Sequence, residues 1–273
     1  MKKTKRWLKV GMLISFVVLL SACTNQGVDQ QNTSLWNGFF IYNLSRFILW
    51  LSHLFNNNYA IGIILFTIII RLILWPLNSM QIKSQRKMMD IQPELEKIKA
   101  KYPNRDRQSM ELMQQEQQAF MEEKGVNQFA GCLPLLIQLP VMMGLYQAIF
   151  RTQELRQGSF FWAHLGQPDP WLILPLLAAI LTFANTYFTT LSNPVKNSTT
   201  TIMMYVMPIM ILLISFRLPA AVALYWVVTN LISVIQTFIL NNPYKIIEER
   251  KQKEMLEREK ERRLKKALRR ATK

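Results

Sequence analysis

The chain has 273 residues, half of them hydrophobic, and a formal charge of +16 from 33 Lys/Arg and 17 Asp/Glu. The apolar residues come in long blocks, which exclude a soluble globular domain and indicate a polytopic membrane protein. Two cysteines (Cys23, Cys132) and two histidines (His53, His164) occur in unrelated contexts. We therefore expect no disulfide, no metal site and no cofactor.

Residues 1–22 are typical of a secretory signal. Five Lys/Arg and no acid precede and flank the apolar stretch "VGMLISFVVLL", and the small residues of "LSAC" lead to Cys23. Small residues directly before a cysteine resemble the lipobox of bacterial lipoproteins, which implies cleavage before Cys23 and lipidation of its thiol on the outer face. The alternative is an ordinary signal or an uncleaved anchor with an incidental cysteine.

Five later segments are long and apolar enough to predict membrane-spanning helices. A hydrocarbon core about 30 Å thick needs roughly 20 apolar residues as helix. The five segments, of which the fourth is short and contains Pro208, are 59–80, 132–151, 171–191, 202–217 and 219–240.

Residues 35–55 are ambiguous between a sixth span and a helix that lies in the membrane interface. Polar residues recur at helical spacing on one side (Asn43, Arg46, His53), and the other side is mainly apolar (Trp36, Phe40, Leu44, Phe47, Leu51, Leu54). Lys/Arg-rich segments stay in the cytoplasm. If Cys23 is outside, five spans place the two Lys/Arg-rich segments, 81–126 and 241–273, in the cytoplasm, whereas six spans would place both outside. This parity favours an outer-face interfacial helix for residues 35–55.

Arg71 lies within the apolar run 59–77. A charge at the centre of a bilayer costs about 3 kcal/mol on insertion scales, so such a residue points to a wet cavity, a partner or a functional role. The alternative is snorkelling, because Arg71 is six residues, roughly 9 Å of helix, from Leu77 at the end of the run.

The loop 81–126 has nine Lys/Arg and eight acids and predicts an antiparallel helical hairpin. Two seams of period 3–4 are separated by "KYPNRD", where Pro103 would stop the first helix and Asn104 or Asp106 would cap the second. Pro93 should kink or restart the first helix, and the second should end near Gly125. The seams are Met88, Ile91, Leu95, Ile98 and Tyr102, then Met110, Met113, Gln117 and Phe120.

The tail 241–273 carries 13 Lys/Arg and six Asp/Glu, with the bases concentrated towards the end. Such charge blocks are often interaction segments, and ribosomal RNA or anionic lipid would suit this one. The alternative for the tail is an idle anchor that sets topology. For the loop 81–126 the alternatives are a docking arm or a solvated spacer.

The chain resembles the YidC/Oxa1/Alb3 membrane protein insertases, in particular the short lipoprotein form (YidC2-like) of Gram-positive bacteria. The resemblance covers the chain from residue 35 onward and rests on "IIIRLILWPL", "IQPELEKIKAKY", "GCLPLLIQLPVMMGLY" and "LPAAVALYWVVTNLISVIQ". Two positions depart from the family pattern: Gln128 stands where proline is common, and Asn185 where glutamine is common.

The resemblance implies an all-α fold of five spans with a cytoplasmic hairpin and an outer-face helix. The expected regions are a signal (1–22), a tether and amphipathic helix (23–58), the first span (59–80), the hairpin (81–126), spans two to five (127–240) and a basic tail (241–273). The implied activity is non-enzymatic: insertion and folding of new membrane proteins and some lipoproteins. The implied partners are nascent membrane proteins, the ribosome, the Sec translocon and the bilayer, with the protein working as a monomer.

The resemblance places Arg71 in a hydrophilic groove inside the membrane. Polar residues of the other spans are candidates for the same groove or, equally, ordinary contacts between helices: Gln138, Asn185, Tyr225, Trp226, Asn230 and Gln236. A transporter that uses Arg71 as an anion site is disfavoured, because no inverted repeat is visible. An intramembrane protease is disfavoured because the spans lack aspartates and a HExxH motif.

Overall fold

The computed structural model describes residues 39–104, 106–126, 133–194 and 198–271. The signal, Cys23, Gln128 and Cys132 lie outside these residues. The described chain is helical apart from one short β-hairpin. Its elements are α1 Tyr42–His53, α2 Tyr59–Ile73, α3 Trp75–Asp90, α4 Gln92–Ala100, α5 Arg107–Glu123, α6 Leu133–Arg151, α7 Gln153–Gln157, β1 Ser159–Phe160, β2 Ala163–His164, α8 Ile173–Leu191, α9 Ser198–Ser215, α10 Ala220–Leu240 and α11 Pro243–Ala271.

The chain divides into two compact units. The first contains the described residues within Met1–Pro76, Cys132–Ile180 and Pro208–Asn230. The second contains those within Leu77–Gly131, Leu181–Met207 and Leu231–Lys273.

By length and composition, two of the described helical stretches could cross a membrane: Ile173–Leu191 and Ala220–Arg270. A third is added if α2 and α3, which are broken at Leu74, count as one span, and Met204–Ser215 is a shorter apolar helix. Large apolar side chains project outward from α8 and α9, a pattern that suits contact with lipid. Examples are Leu176, Ile180, Ile202, Ile209 and Leu213.

The core of the first unit forms where α1 and α2 approach closely and where α6 and the start of α10 contribute apolar side chains. Gly62 makes the close approach possible, because a Cβ on it would lie 2.0 Å from Ser52 Oγ and 2.9 Å from the Ile48 carbonyl. The Ser52 hydroxyl donates to that carbonyl at 2.8 Å, so it is satisfied within its own helix. The fully buried core side chains include Ile48, Ile63, Phe66, Leu145 and Ile149.

Helix α1 packs into the first unit through a face that includes two serines. Ser45, Ile48, Leu51 and Ser52 are buried, whereas Leu54 is 60% exposed. Ser52 can face the close α1–α2 contact because its hydroxyl bonds to the Ile48 carbonyl of its own helix.

The segment between α6 and α8 is a compact turn that the apolar pattern did not predict. The β1–β2 hairpin pairs Ser159 with His164 and Phe160 with Ala163. The loop after it covers the start of α10, because Gln167 O accepts from Ala220 N at 2.7 Å and Leu165 O accepts from Ala221 N at 3.2 Å. These carbonyls satisfy helix-start N–H groups that have no partner within the helix.

In the second unit, the structure confirms three local predictions for the charged loop. Pro93 lies in the first turn of α4, so the helix restarts there after a break at Ile91. Asp106 caps α5 by accepting from Ser109 N at 3.0 Å. Gly125, with φ +64°, follows the end of α5 in the left-handed conformation that glycine adopts readily.

The predicted seams of this loop are only partly right. Ile98 is buried as expected, but Met89 is buried rather than Met88, which is half-buried. In α5, Met110 is 41% exposed and Met121 is buried. A heptad fixes faces only along one continuous helix, and the break at Ile91 resets the helical phase on either side of it.

Two polar ties fix elements of the second unit. Glu116 accepts from Lys101 Nζ and, at 2.9 Å, from Tyr102 Oη, and the hydrogen bond from Lys101 holds the pKa of Glu116 below its usual value. The stabilisation that the ionised Glu116 gives the folded state is therefore present at neutral pH and is lost as the pH falls through this lowered pKa. In α11, Arg250 donates to Ser192 O and, at 2.6 Å, to Asp90 Oδ1, while Arg86 pairs with Glu249 at 3.2 Å.

We predict that Gly62→Ala lowers the free energy of unfolding by about 1–3 kcal/mol, because the added methyl forces α1 and α2 apart. Thermal unfolding of the detergent-purified protein measures the effect. The double variant Gly62→Ala with Ser52→Ala should recover part of the loss, since the Ser52 hydroxyl is the nearest obstacle and the Ile48 carbonyl remains. An unchanged melting temperature for Gly62→Ala would contradict the close approach.

Candidate functional site

Helix α2 positions Arg71 near its carboxyl end. The helix begins at the Asn58 cap, whose side chain accepts from Ile61 N at 3.1 Å, and it stays apolar until Arg71 in its last turn. The Arg71 side chain is half-buried. A cation in the last turn interacts favourably with the helix dipole, but that interaction is worth at most about 2 kcal/mol.

Arg71 has no carboxylate partner among the described residues. The ion pairs seen in α3, α5, α11 and the turns beside them all join other residues. The Tyr225 phenol lies close enough to the Arg71 guanidinium to interact with it electrostatically. A guanidinium offers five N–H donors, so this site can bind carboxylates or carbonyls brought from outside.

Gln138 and Tyr225 form a polar pair in the same unit. Gln138 Nε2 in α6 donates to Tyr225 Oη in α10 at 2.6 Å, across 87 positions of sequence. Tyr225 is buried and Gln138 is half-buried. The first unit thus brings together three of the sequence-predicted groove residues: Arg71 and Tyr225 by electrostatic proximity, and Tyr225 and Gln138 by a hydrogen bond.

The neighbouring candidates in α10 have packing roles in this structure. Trp226 is buried in the apolar core of the first unit. Asn230 Nδ2 donates to Trp226 O at 2.9 Å, so its amide bonds to its own helix. A contact between Trp226 and a substrate remains a prediction.

Asn185 and Gln236 belong to the second unit. Asn185 is half-buried in α8, and its backbone carbonyl accepts from Thr189 Oγ1 at 2.7 Å. Gln236 is buried in α10. The assignment of Asn185 to the groove remains a prediction.

Sequence reasoning missed Asp169, which is 2% exposed. Its carboxylate accepts from Trp162 Nε1 at 2.9 Å, from Trp171 N at 3.1 Å and from Leu174 N at 2.7 Å. The available signal was "PDPW" directly before an apolar helix, since an aspartate there commonly satisfies helix-start N–H groups.

Comparison with known proteins identifies the family. Residues 50–249 match the family model described as 60Kd inner membrane protein. The chain is 45% identical over 267 residues to "Membrane protein insertase YidC" of Enterococcus faecalis, covering 98% of this chain and 96% of that one. It is 44% identical over 269 residues to "Membrane protein insertase YidC 1" of Lactococcus lactis, covering 98% and 99%.

A solved structure, "Active YidC insertase crystal structure with the first transmembrane domain resolved", superposes with a TM-score of 0.58 at 30% identity. The match covers 85% of this chain and 52% of that one, so the chain spans about half the length of the solved relative. The family model, the full-length relatives and the helical architecture lead to one conclusion: this chain belongs to the YidC family of bacterial membrane proteins.

Proposed function

We propose that this chain inserts newly made membrane proteins into the bacterial plasma membrane and helps them to fold, through a hydrophilic groove that contains Arg71. The carrying observation is that a half-buried guanidinium ends an apolar helix with no carboxylate partner in the described part of the chain. A charge kept at such a cost needs a ligand or a wet environment. The proposal is also supported by the names of the full-length relatives, which are called membrane protein insertases.

The proposed mechanism lowers the barrier that a substrate's polar tail meets in the membrane. Charged residues face a large desolvation cost in hydrocarbon, and a water-filled groove shortens that path. Arg71 attracts acidic residues of the tail and donates hydrogen bonds to carboxylates or backbone carbonyls. The apolar part of the substrate then moves sideways into lipid, where its burial is favourable. This sequence of steps requires neither a nucleotide nor a cofactor.

The remaining groove assignments belong to this proposal. The hydrogen-bonded pair Gln138 and Tyr225 supplies polar surface beside Arg71. Asn185 and Trp226 complete the groove, Asn185 as an amide in the third span and Trp226 as an aromatic contact for substrate.

The proposed topology has a lipidated Cys23 and an interfacial helix at residues 35–55 on the outer face. Five spans then place the hairpin 81–126 and the tail 241–273 in the cytoplasm, with groove access from that side. The apolar outward faces of α8 and α9 support their assignment as spans. The exposed, basic end of α11 supports a ribosome contact. The Sec translocon is a further proposed partner, and one chain acts as a monomer.

We predict that Arg71→Ala reduces insertion of a single-span protein with an acidic translocated tail by about tenfold, because a charge-assisted hydrogen bond is lost. Arg71→Lys should retain most activity. Insertion into vesicles that contain only the purified protein measures the effect. Arg46→Ala, which removes an exposed positive charge from α1, serves as the matched control. Equal insertion by all four proteins would contradict a role for Arg71 in insertion and favour the alternative that its side chain only snorkels to the interface.

We predict that replacing the seven basic residues between Arg262 and Lys273 with glutamine severalfold weakens co-sedimentation with ribosomes at low salt, because fewer counterions are released on binding. The control is Leu264→Gln with Leu268→Gln, which changes two exposed apolar side chains of the same segment and leaves its charge intact. Ribosome binding that persists in the glutamine variant would favour the idle-anchor interpretation of the tail.

We predict that Cys23→Ala abolishes labelling by radioactive fatty acid and leaves the precursor uncleaved, because the modified thiol is required before the signal is removed. Metabolic labelling and a gel shift of the precursor measure both effects. Cys132→Ala, which changes the other cysteine, should be labelled and processed normally. A Cys23→Ala protein of mature size would refute the lipobox.

A further inference from the structure

A cluster of aromatic rings projects from the turn before α8. We define the aromatic platform as Phe161, Trp162 and Trp171. Phe161 stacks on Trp162 with ring centroids 6.0 Å apart, and Trp162 stacks on Trp171 at 5.7 Å with planes 11° apart. Phe161 is 84% exposed and Trp171 66% exposed. Trp162 packs against the core of the first unit and carries the exposed rings of Phe161 and Trp171 on its two sides, so the platform presents stacked apolar surface at the edge of that core.

The platform is held in place by a buried carboxylate. Asp169 Oδ1 accepts from the Trp162 indole N–H at 2.9 Å and from Trp171 N at 3.1 Å, so one oxygen ties two of the three residues. Its other oxygen accepts from Leu174 N at 2.7 Å, inside the first turn of α8. The rings are thus fixed relative to the end of this helix.

Backbone geometry also holds the apolar side chains outward. Phe161 has φ +49° and Leu172 has φ +58°, a left-handed conformation that bulky residues seldom adopt. Phe161 adopts it at the tip of the β1–β2 hairpin, and Leu172, 41% exposed, adopts it directly before α8. Strained backbone costs free energy, and exposing apolar side chains does not repay that cost within the fold. Strain of this kind therefore points to a surface that contacts a partner.

The position of the platform identifies that partner. Trp171 lies two residues before α8, which is long and apolar enough to cross a membrane. The end of a spanning helix lies at the boundary between hydrocarbon and headgroups, where tryptophan is enriched because its ring is apolar and its N–H is polar. Helix α8 itself exposes large apolar side chains, among them Leu176 and Ile180, a pattern that suits contact with lipid beside the platform.

We propose that the aromatic platform inserts its rings into the headgroup boundary of the bilayer and sets the depth of α8 in the membrane. The partner is the lipid surface. The inference rests on the proposed function only in assigning the platform to the outer leaflet, which follows from the topology proposed above. Because Asp169 couples the rings to Leu174, and the same turn covers the start of α10, the depth of the rings also fixes the depth of both helix ends.

The test places an environment-sensitive fluorophore on the platform. Phe161→Cys, in a Cys132→Ala background, is labelled with a nitrobenzoxadiazole dye and reconstituted into phosphatidylethanolamine–phosphatidylglycerol vesicles. The matched control is Glu154→Cys, an exposed position on α7. We expect a spin-labelled lipid with its nitroxide near the headgroup to quench the dye at 161 severalfold more than at 154, and aqueous iodide to show the reverse order.

Equal quenching at both positions, with full access to iodide at 161, would overturn the proposal. Quenching at 161 that depends on the protein-to-lipid ratio would also overturn it, because that result indicates a second copy as the partner. Trp171→Cys, labelled in the same way, should reproduce the result at 161 and guards against a defect specific to one variant.

The same vesicles allow this inference to be separated from the proposed function. Insertion of the acidic-tailed substrate is measured in parallel with quenching. Lipid quenching at 161 without insertion would support the platform proposal and contradict the insertase proposal. Insertion without lipid quenching at 161 would support the insertase proposal and contradict the platform proposal.

Discussion

An arginine charge within apolar surroundings is the constraint on which this account depends. Helix α2 is apolar from Tyr59 to Ile70, and Arg71 follows before the helix ends at Ile73. The helix dipole offsets a small part of the cost of keeping a charge there, and the described residues supply no carboxylate to offset the rest. The balance must come from water or from a transient ligand, and under the proposed function acidic residues of a substrate would be that ligand.

The first unit is built so that this charge has a fixed position. Gly62 lets α1 lie directly against α2, and the buried aliphatic side chains around Ile63 and Phe66 lock the helix that carries Arg71. The turn between α6 and α8 then closes over the start of α10, the helix that carries Tyr225. Packed helices that hold Arg71 and Tyr225 in place would preorganise these polar groups before a substrate arrives, which lowers the cost of binding.

Much of the local structure could be predicted because it depends on neighbouring residues. The restart at Pro93 follows from its missing N–H, and the cap at Asp106 follows from a short acidic side chain before a helix. The seam prediction chose Met88 where Met89 is buried, because a hydrophobic period fixes a face only within one continuous helix and the chain breaks at Ile91. The packing of Ser52 against α2 was missed because the pattern of polar and apolar residues does not reveal the bond that its hydroxyl makes to its own helix backbone.

The candidate site was only partly predictable for a related reason. Arg71 was evident from sequence, since a charge within an apolar run stands out without knowledge of the fold. The bond between Gln138 and Tyr225 was not, because either residue could equally have faced a groove or joined two helices. Asp169 was overlooked because its role depends on Trp162, Trp171 and Leu174 converging in space, and the spacing of charged residues carries no sign of that.

A charge-exchange experiment tests the central claim most directly. Arg71→Glu and the wild type would each be given two versions of one single-span substrate, identical except that the translocated tail carries three aspartates or three lysines. If Arg71 attracts substrate charge, wild type should insert the acidic version better, and Arg71→Glu should reverse that preference. The same preference in both proteins, whichever tail is favoured, would contradict direct attraction by the residue at position 71.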